Sequence, residues 1–178
     1  MQHPGITHCS CGGGHLGEKL KIMGVEIERK FLLADDSWRH GAVGIAYAQG
    51  YLSRGTGRTV RVRIAGEKSF LTIKGPVSGI TRDEFEYQIP LEDARKMIPL
   101  CDGEIIQKTR YRIPFSNHVW EIDEFHGANQ GLLVAEVEMR DPHEIVTLPS
   151  WVGAEVTGDP RYYNSALVSK PYSSWSCG

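Results

Sequence analysis

Short runs in which apolar and charged side chains alternate, separated by glycine- and asparagine-bearing turns, constrain this chain more than any other feature. The first run is Met23–Leu33, MGVEIERKFLL. Extended, it sends Val25, Ile27 and Phe31 to one face and Glu26, Glu28 and Lys30 to the other, because successive residues of a strand point to opposite sides. The same period recurs over residues 46–54, 58–65, 68–74, 82–89, 104–113, 117–125 and 132–140, which predicts an antiparallel framework of eight strands. Gly55-Thr56-Gly57, Ala65-Gly66-Glu67, Gly75-Pro76 and Ser116-Asn117 supply hairpin turns. Three segments read as helical instead. Residues 91–98 do so by apolar spacing, the stretch near Asp36-Ser37-Trp38 by capping chemistry, and the stretch from Asp159-Pro160 to Leu167 by an acid cap followed by proline.

The polar faces are unusual in their charges. Arg61 and Arg63 oppose Val60, Val62 and Ile64, while Lys74 opposes Leu71 and Ile73. Glu84 and Glu86 oppose Phe85 and Tyr87. Lys108, Arg110 and Arg112 share a face, as do Glu121 and Asp123, and Glu136 and Glu138 oppose Val137 and Met139. One Glu-x-Glu is ordinarily the wet side of a two-sided sheet, and cross-strand ion pairs of about 0.2–1 kcal/mol each account for it. Grouping by sign argues for something else, since two like charges about 6 Å apart at an effective dielectric near 20 repel by roughly 3 kcal/mol. Lys30, Arg61, Arg63, Lys74, Lys108 and Arg110 gathered on one concave surface suit a ligand with several phosphates. Carboxylates clustered with few His or Cys residues suit a hard divalent cation, Mg²⁺ or Mn²⁺. Eight strands closed into a barrel leave room for such a ligand inside, with the apolar faces turned outward under helices.

Charge balance narrows the choice. With Lys+Arg 20 against Asp+Glu 22, the chain is not a generally basic nucleic-acid binder, and any function built on charge rests on where the charges sit. No run approaches the roughly 18 apolar residues of a membrane span, so a cytoplasmic protein with no membrane partner is expected. The length suits one domain, expected over residues 23–170, with 1–22 as a leader or appended extension and 171–178 as a tail. Cys9-Ser10-Cys11 with His3, His8 and His15 matches no familiar zinc spacing. Trp38, Trp120 and Trp151 read as core, His118 as solvated near a turn, and Arg54 and Arg112 as strand-end cations.

Taken in order, EIERK (Glu26, Glu28, Lys30), Arg61-Val62-Arg63, TIKG around Lys74, Glu84-Phe85-Glu86, Lys108-Thr109-Arg110, Glu121-Ile122-Asp123 and Glu136-Val137-Glu138 resemble the CYTH superfamily, the triphosphate tunnel metalloenzymes. The closing EVTGDPRYYNSAL (residues 155–167) is similar to the C-terminal stretch of small bacterial members. The resemblance implies a mainly β, α+β fold: an eight-stranded antiparallel closed barrel, or tunnel, with a few helices outside and at the C-terminus. It implies a small triphosphate substrate and Mg²⁺ or Mn²⁺. Carried over, Lys30, Arg61, Arg63, Lys74, Lys108 and Arg110 hold phosphates, and Glu26, Glu28, Glu136 and Glu138 hold metal, with Asp123 a further candidate. Three groups stand open as proton acceptor: a glutamate beside the metal such as Glu28, Lys108 with its basicity lowered by neighbouring cations, and Tyr51 as a partner in that role. Hydrolysis of inorganic tripolyphosphate to diphosphate and phosphate is the expected activity. A class IV-type adenylyl cyclase, a thiamine triphosphatase and a non-catalytic polyphosphate-binding module are the alternatives, and a homodimer is admitted as the assembly.

Overall fold

The computed structural model describes residues 24–55, 57–76, 78 and 81–175, with residues 24–26, 81 and 82 described by their backbone alone. The leader, with Cys9, Cys11, His3, His8 and His15, therefore lies outside the described residues. Nine strands follow one another: β1 (Gly24–Leu33), β2 (Gly44–Gly55), β3 (Arg58–Ala65), β4 (Lys68–Lys74), β5 (Thr81–Gln88), β6 (Ile106–Phe115), β7 (His118–Phe125), β8 (Leu133–Glu138) and β9 (Val152–Glu155). They form one antiparallel sheet in the order β5-β4-β3-β2-β6-β7-β8-β1-β9, and β1 also pairs with β5 over Gly24–Ile27. Helices are few: α1 (Leu91–Met97), α2 (Asn164–Leu167) and short 3₁₀ turns. Among the described residues no helix is long and apolar enough to cross a membrane.

The expected mainly antiparallel β framework with few helices is present, with nine strands in place of eight. The added strand, β9, runs beside Phe31 and Leu33 of β1. Its four residues, VGAE, are too few and too small to show a period. The expected helix near Asp36 is a single 3₁₀ turn, Ser37–Arg39, and the carboxylate that organises it belongs to Asp35, which accepts from the Ser37 backbone N–H at 2.8 Å. Asp159 does cap its turn by accepting from Arg161 N–H, but Tyr163 is extended and splits the predicted third helix into a 3₁₀ turn and α2.

Alternation sorts the side chains into two layers. On the outer face, Phe31, Trp120, Ile122, Ala135, Val137 and Trp151 form the main core, with Trp120 edge-on to Trp151 at 5.5 Å and Trp38 packed beside them. Each large side chain buried there stabilises by about 1.5–3 kcal/mol. On the inner face, Tyr51, Ile106, Phe125, Val134, Leu167 and Val168 make a second apolar cluster. The C-terminal helix thereby seats itself against the inward residues of β2, β6, β7 and β8. On the opposite face of β2, a Cβ at Gly50 would lie 2.6 Å from Cys101 Sγ, so glycine there lets the connection after α1 cross closely. Asp102 N–H then bonds the Tyr51 carbonyl at 2.9 Å, fixing that part of β2.

Candidate active site

The inward polar faces of β1, β3, β4, β6 and β8 line one cavity of about 770 Å³. Into it project Lys30, Arg61, Arg63, Lys74, Lys108 and Arg110, together with Glu28, Glu136, Glu138 and Tyr51. Asp123 is fully buried just behind, under Lys108 and Arg110. Glu26 pairs with Arg82 along β1 and β5, and its side chain lies outside the described residues. Lys30, Arg61, Lys74, Lys108 and Arg110 are each at most 9% exposed, which the wet side of a two-sided sheet would not produce.

The register brings acids onto these bases. Lys30 faces Glu136 across β8, and its Nζ lies 2.5 Å from Glu136 Oε1 and 2.8 Å from Glu28 Oε1. Arg110 faces Asp123 across β7 and donates to both its oxygens at 2.6 Å, to Glu136 at 2.8 Å and to Glu121. Lys108 Nζ reaches Asp123 Oδ2 at 2.5 Å. On the opposite wall Arg63 donates to Glu86 at 2.8 Å, Arg61 to Thr72 Oγ1 at 3.2 Å, and Lys74 lies 3.2 Å from Glu84. The like charges are offset from other strands: Glu84 and Glu86 of β5 serve Lys74 and the β3 arginines, and Asp123 and Glu136 of β7 and β8 serve Lys108, Arg110 and Lys30.

Protonation differs within the cavity. Burial opposes the Lys30 ammonium, but Glu136 and Glu28 outweigh it and hold its pKa above the ordinary lysine range. Burial likewise works against ionised Glu136, yet Lys30, Arg110 and Lys108 keep its carboxyl well below the usual carboxylate range. Lys108 goes the other way. Burial first, then the Arg110 guanidinium, pushes it down to about 8 against the pull of Asp123 and Glu136. The Arg63 guanidinium is also lowered, by burial and by Arg61.

For a divalent cation the donor chemistry fits in part. Glu28, Glu136 and Glu138 are hard oxygen donors on the neighbouring strands β1 and β8, and Glu28 sits directly across from Glu138. Glu28 and Glu136 already converge on a positive charge, the Lys30 ammonium. Among the described residues, however, no three acid, His or Cys groups are drawn together as a bound ion would hold them. Asp123 fits poorly, because both its oxygens are taken by Lys108 and Arg110.

With this geometry in place, the family model described as the CYTH domain matches residues 24–163. The chain belongs to the CYTH domain family. Within that likeness, an inorganic triphosphatase of Acetivibrio thermocellus is 45% identical over 154 residues, 86% of this chain and 99% of that one. An inorganic triphosphatase of Nitrosomonas europaea is 37% identical over 150 residues, covering 80% and 96%. A solved structure of an inorganic triphosphatase superposes with a TM-score of 0.57 at 34% identity, over 80% of this chain and 93% of that one.

Several groups in this CYTH cavity were given no role from sequence. Tyr47 stands across from Lys108, and the Arg63 and Arg110 guanidinium carbons are each 5.6 Å from its ring centroid. Its signal is a shared strand face with Tyr51, four residues on. Glu86, Thr72 and Glu121 organise the arginines; the two glutamates sit in the alternating pattern, but nothing in sequence tells an ion-pair holder from a ligand. His118, expected to be solvated, is corrected: its ring lies 3.0 Å from Glu144 at one mouth of the cavity. Arg112 lines the same cavity, mostly exposed and 3.4 Å from Glu121. Arg54 instead donates to Ser169 at 2.5 Å and ties β2 to the C-terminal segment.

Proposed function

We propose that this chain is an inorganic triphosphatase, a phosphoanhydride hydrolase that cleaves inorganic tripolyphosphate to diphosphate and phosphate inside a tunnel formed by the curled sheet. The observation that carries the reading is the convergence of six basic side chains, five of them almost completely buried, on one cavity that carboxylates also line. The curated relatives, similar over most of their length, support it.

Arg61, Arg63, Lys74, Arg110 and Lys30 bind the triphosphate chain and neutralise charge that spreads over the phosphoryl oxygens in the transition state. Glu86, Glu84 and Glu136 orient these cations in the free protein. Glu28, Glu136 and Glu138, with Glu26, are the residues that would hold Mg²⁺ or Mn²⁺, which when bound supplies further neutralisation at phosphoryl oxygens. Asp123 is assigned to orienting Lys108 and Arg110. Lys108, with its pKa near 8, is the group whose neutral form can take a proton from the attacking water, and Tyr51 assists from the facing strand. Glu28 is the alternative acceptor.

The test is a panel of inorganic tripolyphosphate, thiamine triphosphate, ATP and GTP with Mg²⁺ or Mn²⁺, scoring phosphate and cyclic AMP separately. Phosphate released fastest from inorganic tripolyphosphate is expected. Cyclic AMP as the main product would overturn the reading in favour of a cyclase, and binding without any turnover in favour of a polyphosphate-binding module.

A further inference from the structure

Gln49 lies on β2 between Tyr47 and Tyr51, with none of its surface exposed. Neither its amide oxygen nor its amide nitrogen has a hydrogen-bond partner among the described residues. On one side its ladder neighbour is Ile106, and on the other it is Arg63, with Arg61 across from Tyr51. The Nε of Arg61 and the Nε of Arg63 are buried and unpartnered among the described residues as well. A buried amide left unsatisfied costs about 1–3 kcal/mol, whereas a methionine or leucine of similar shape beside Ile106 carries no such penalty. Three unmet polar groups at adjoining ladder positions, behind the phosphate-binding wall, mark a hydrogen-bond set that the free protein leaves incomplete.

We propose that Gln49 is a substrate-positioning residue for the triphosphate. In the loaded cavity its amide oxygen accepts from Arg63 Nε–H, so that it acts on the substrate through that arginine. This turns the Arg63 guanidinium, which in the free protein donates to Glu86 at 2.8 Å, toward the anion. A neutral amide holds Arg63 from behind without adding to the positive charge that already lowers it. The idea rests on the cavity being the triphosphate site.

Titration calorimetry with inorganic tripolyphosphate under chelation, paired with ligand-free thermal melts, tests it on wild type, Gln49→Met and Gln49→Leu. Both variants should melt at or above the wild-type temperature yet bind about tenfold more weakly, with KM raised more than kcat is lowered. Undiminished affinity in a folded variant overturns the proposal. Weaker binding together with a lower ligand-free melting temperature, or failure of both variants to fold, shows that the amide serves the fold and overturns it too. If wild type itself does not bind tripolyphosphate, the triphosphate reading of the cavity fails first, which is a separate result.

Discussion

Two lysines in one cavity make opposite use of the same contact. Lys30 and Lys108 are both buried, and each lies 2.5 Å from a carboxylate oxygen. Lys30 stands between two acids, Glu136 and Glu28, and is held as an ammonium. Lys108 shares its acid, Asp123, with Arg110, and falls to about 8. Contact distance therefore does not set the proton's place; the count of charges within a few ångströms does. One lysine is a fixed cation, suited to holding phosphate, and the other can exchange a proton near neutral pH.

Glu136→Gln breaks the comparison most severely, because Glu136 bonds both Lys30 and Arg110. Removing one member of a buried ion pair typically costs about 3–5 kcal/mol, so the melting temperature should drop and turnover should fall by orders of magnitude. Steady-state kinetics with metal titration on the folded variant, beside Glu138→Gln, checks this. Wild-type turnover and metal dependence in both variants would leave these acids as ion-pair partners only.

Next comes Lys108→Met, which removes the exchangeable proton and spares the fixed cation. Turnover should fall by about 10²–10⁴ with KM little changed. In wild type the rate should rise with pH through about 8, since the neutral lysine is the active form, and that limb should vanish in the variant. A normal profile would pass the base role to Glu28.

Asp123→Asn sharpens the contrast instead of erasing it. The carboxylate favours the Lys108 ammonium, so its loss lowers the lysine further and moves the limb to lower pH by about one unit or more. A limb unmoved or displaced upward would show that Asp123 does not govern Lys108. Tyr51→Phe is the smallest change: the ring stays packed in the inner apolar cluster, and loss of one hydroxyl contact should slow turnover by no more than about tenfold. A loss of several orders of magnitude would put the hydroxyl at the reaction centre.

Sequence carried the strands well where period two was unbroken. Gly24–Leu33, Arg58–Ala65 and Lys68–Lys74 are found as expected, because alternation and turn residues agree there. β9 escaped since Gly153 and Ala154 have no side chains large enough to mark a face. The inward bases were legible for the same reason as the strands: residues two apart must share a side. What alternation cannot tell is which neighbour across the ladder an inward residue meets, for that depends on register set by distant segments. Asp123 read as a metal candidate while its oxygens are filled by Lys108 and Arg110, and Gln49 carried no signal because its surroundings come from β3 and β6.

The pairing of β1 also matters while the chain is being made. Among the described strands this one is synthesised before its ladder partners β5, β8 and β9. A nascent strand with Ile27, Phe31 and two leucines on view and its backbone unpaired is a template for sticking to other chains. Glu28, Arg29 and Lys30 interrupt that run with charge, as gatekeeper residues do. Glu28 and Lys30, which line the finished cavity, thus also guard the unfinished polypeptide, and neutralising them would show in the pelleted fraction of newly made protein as well as in turnover.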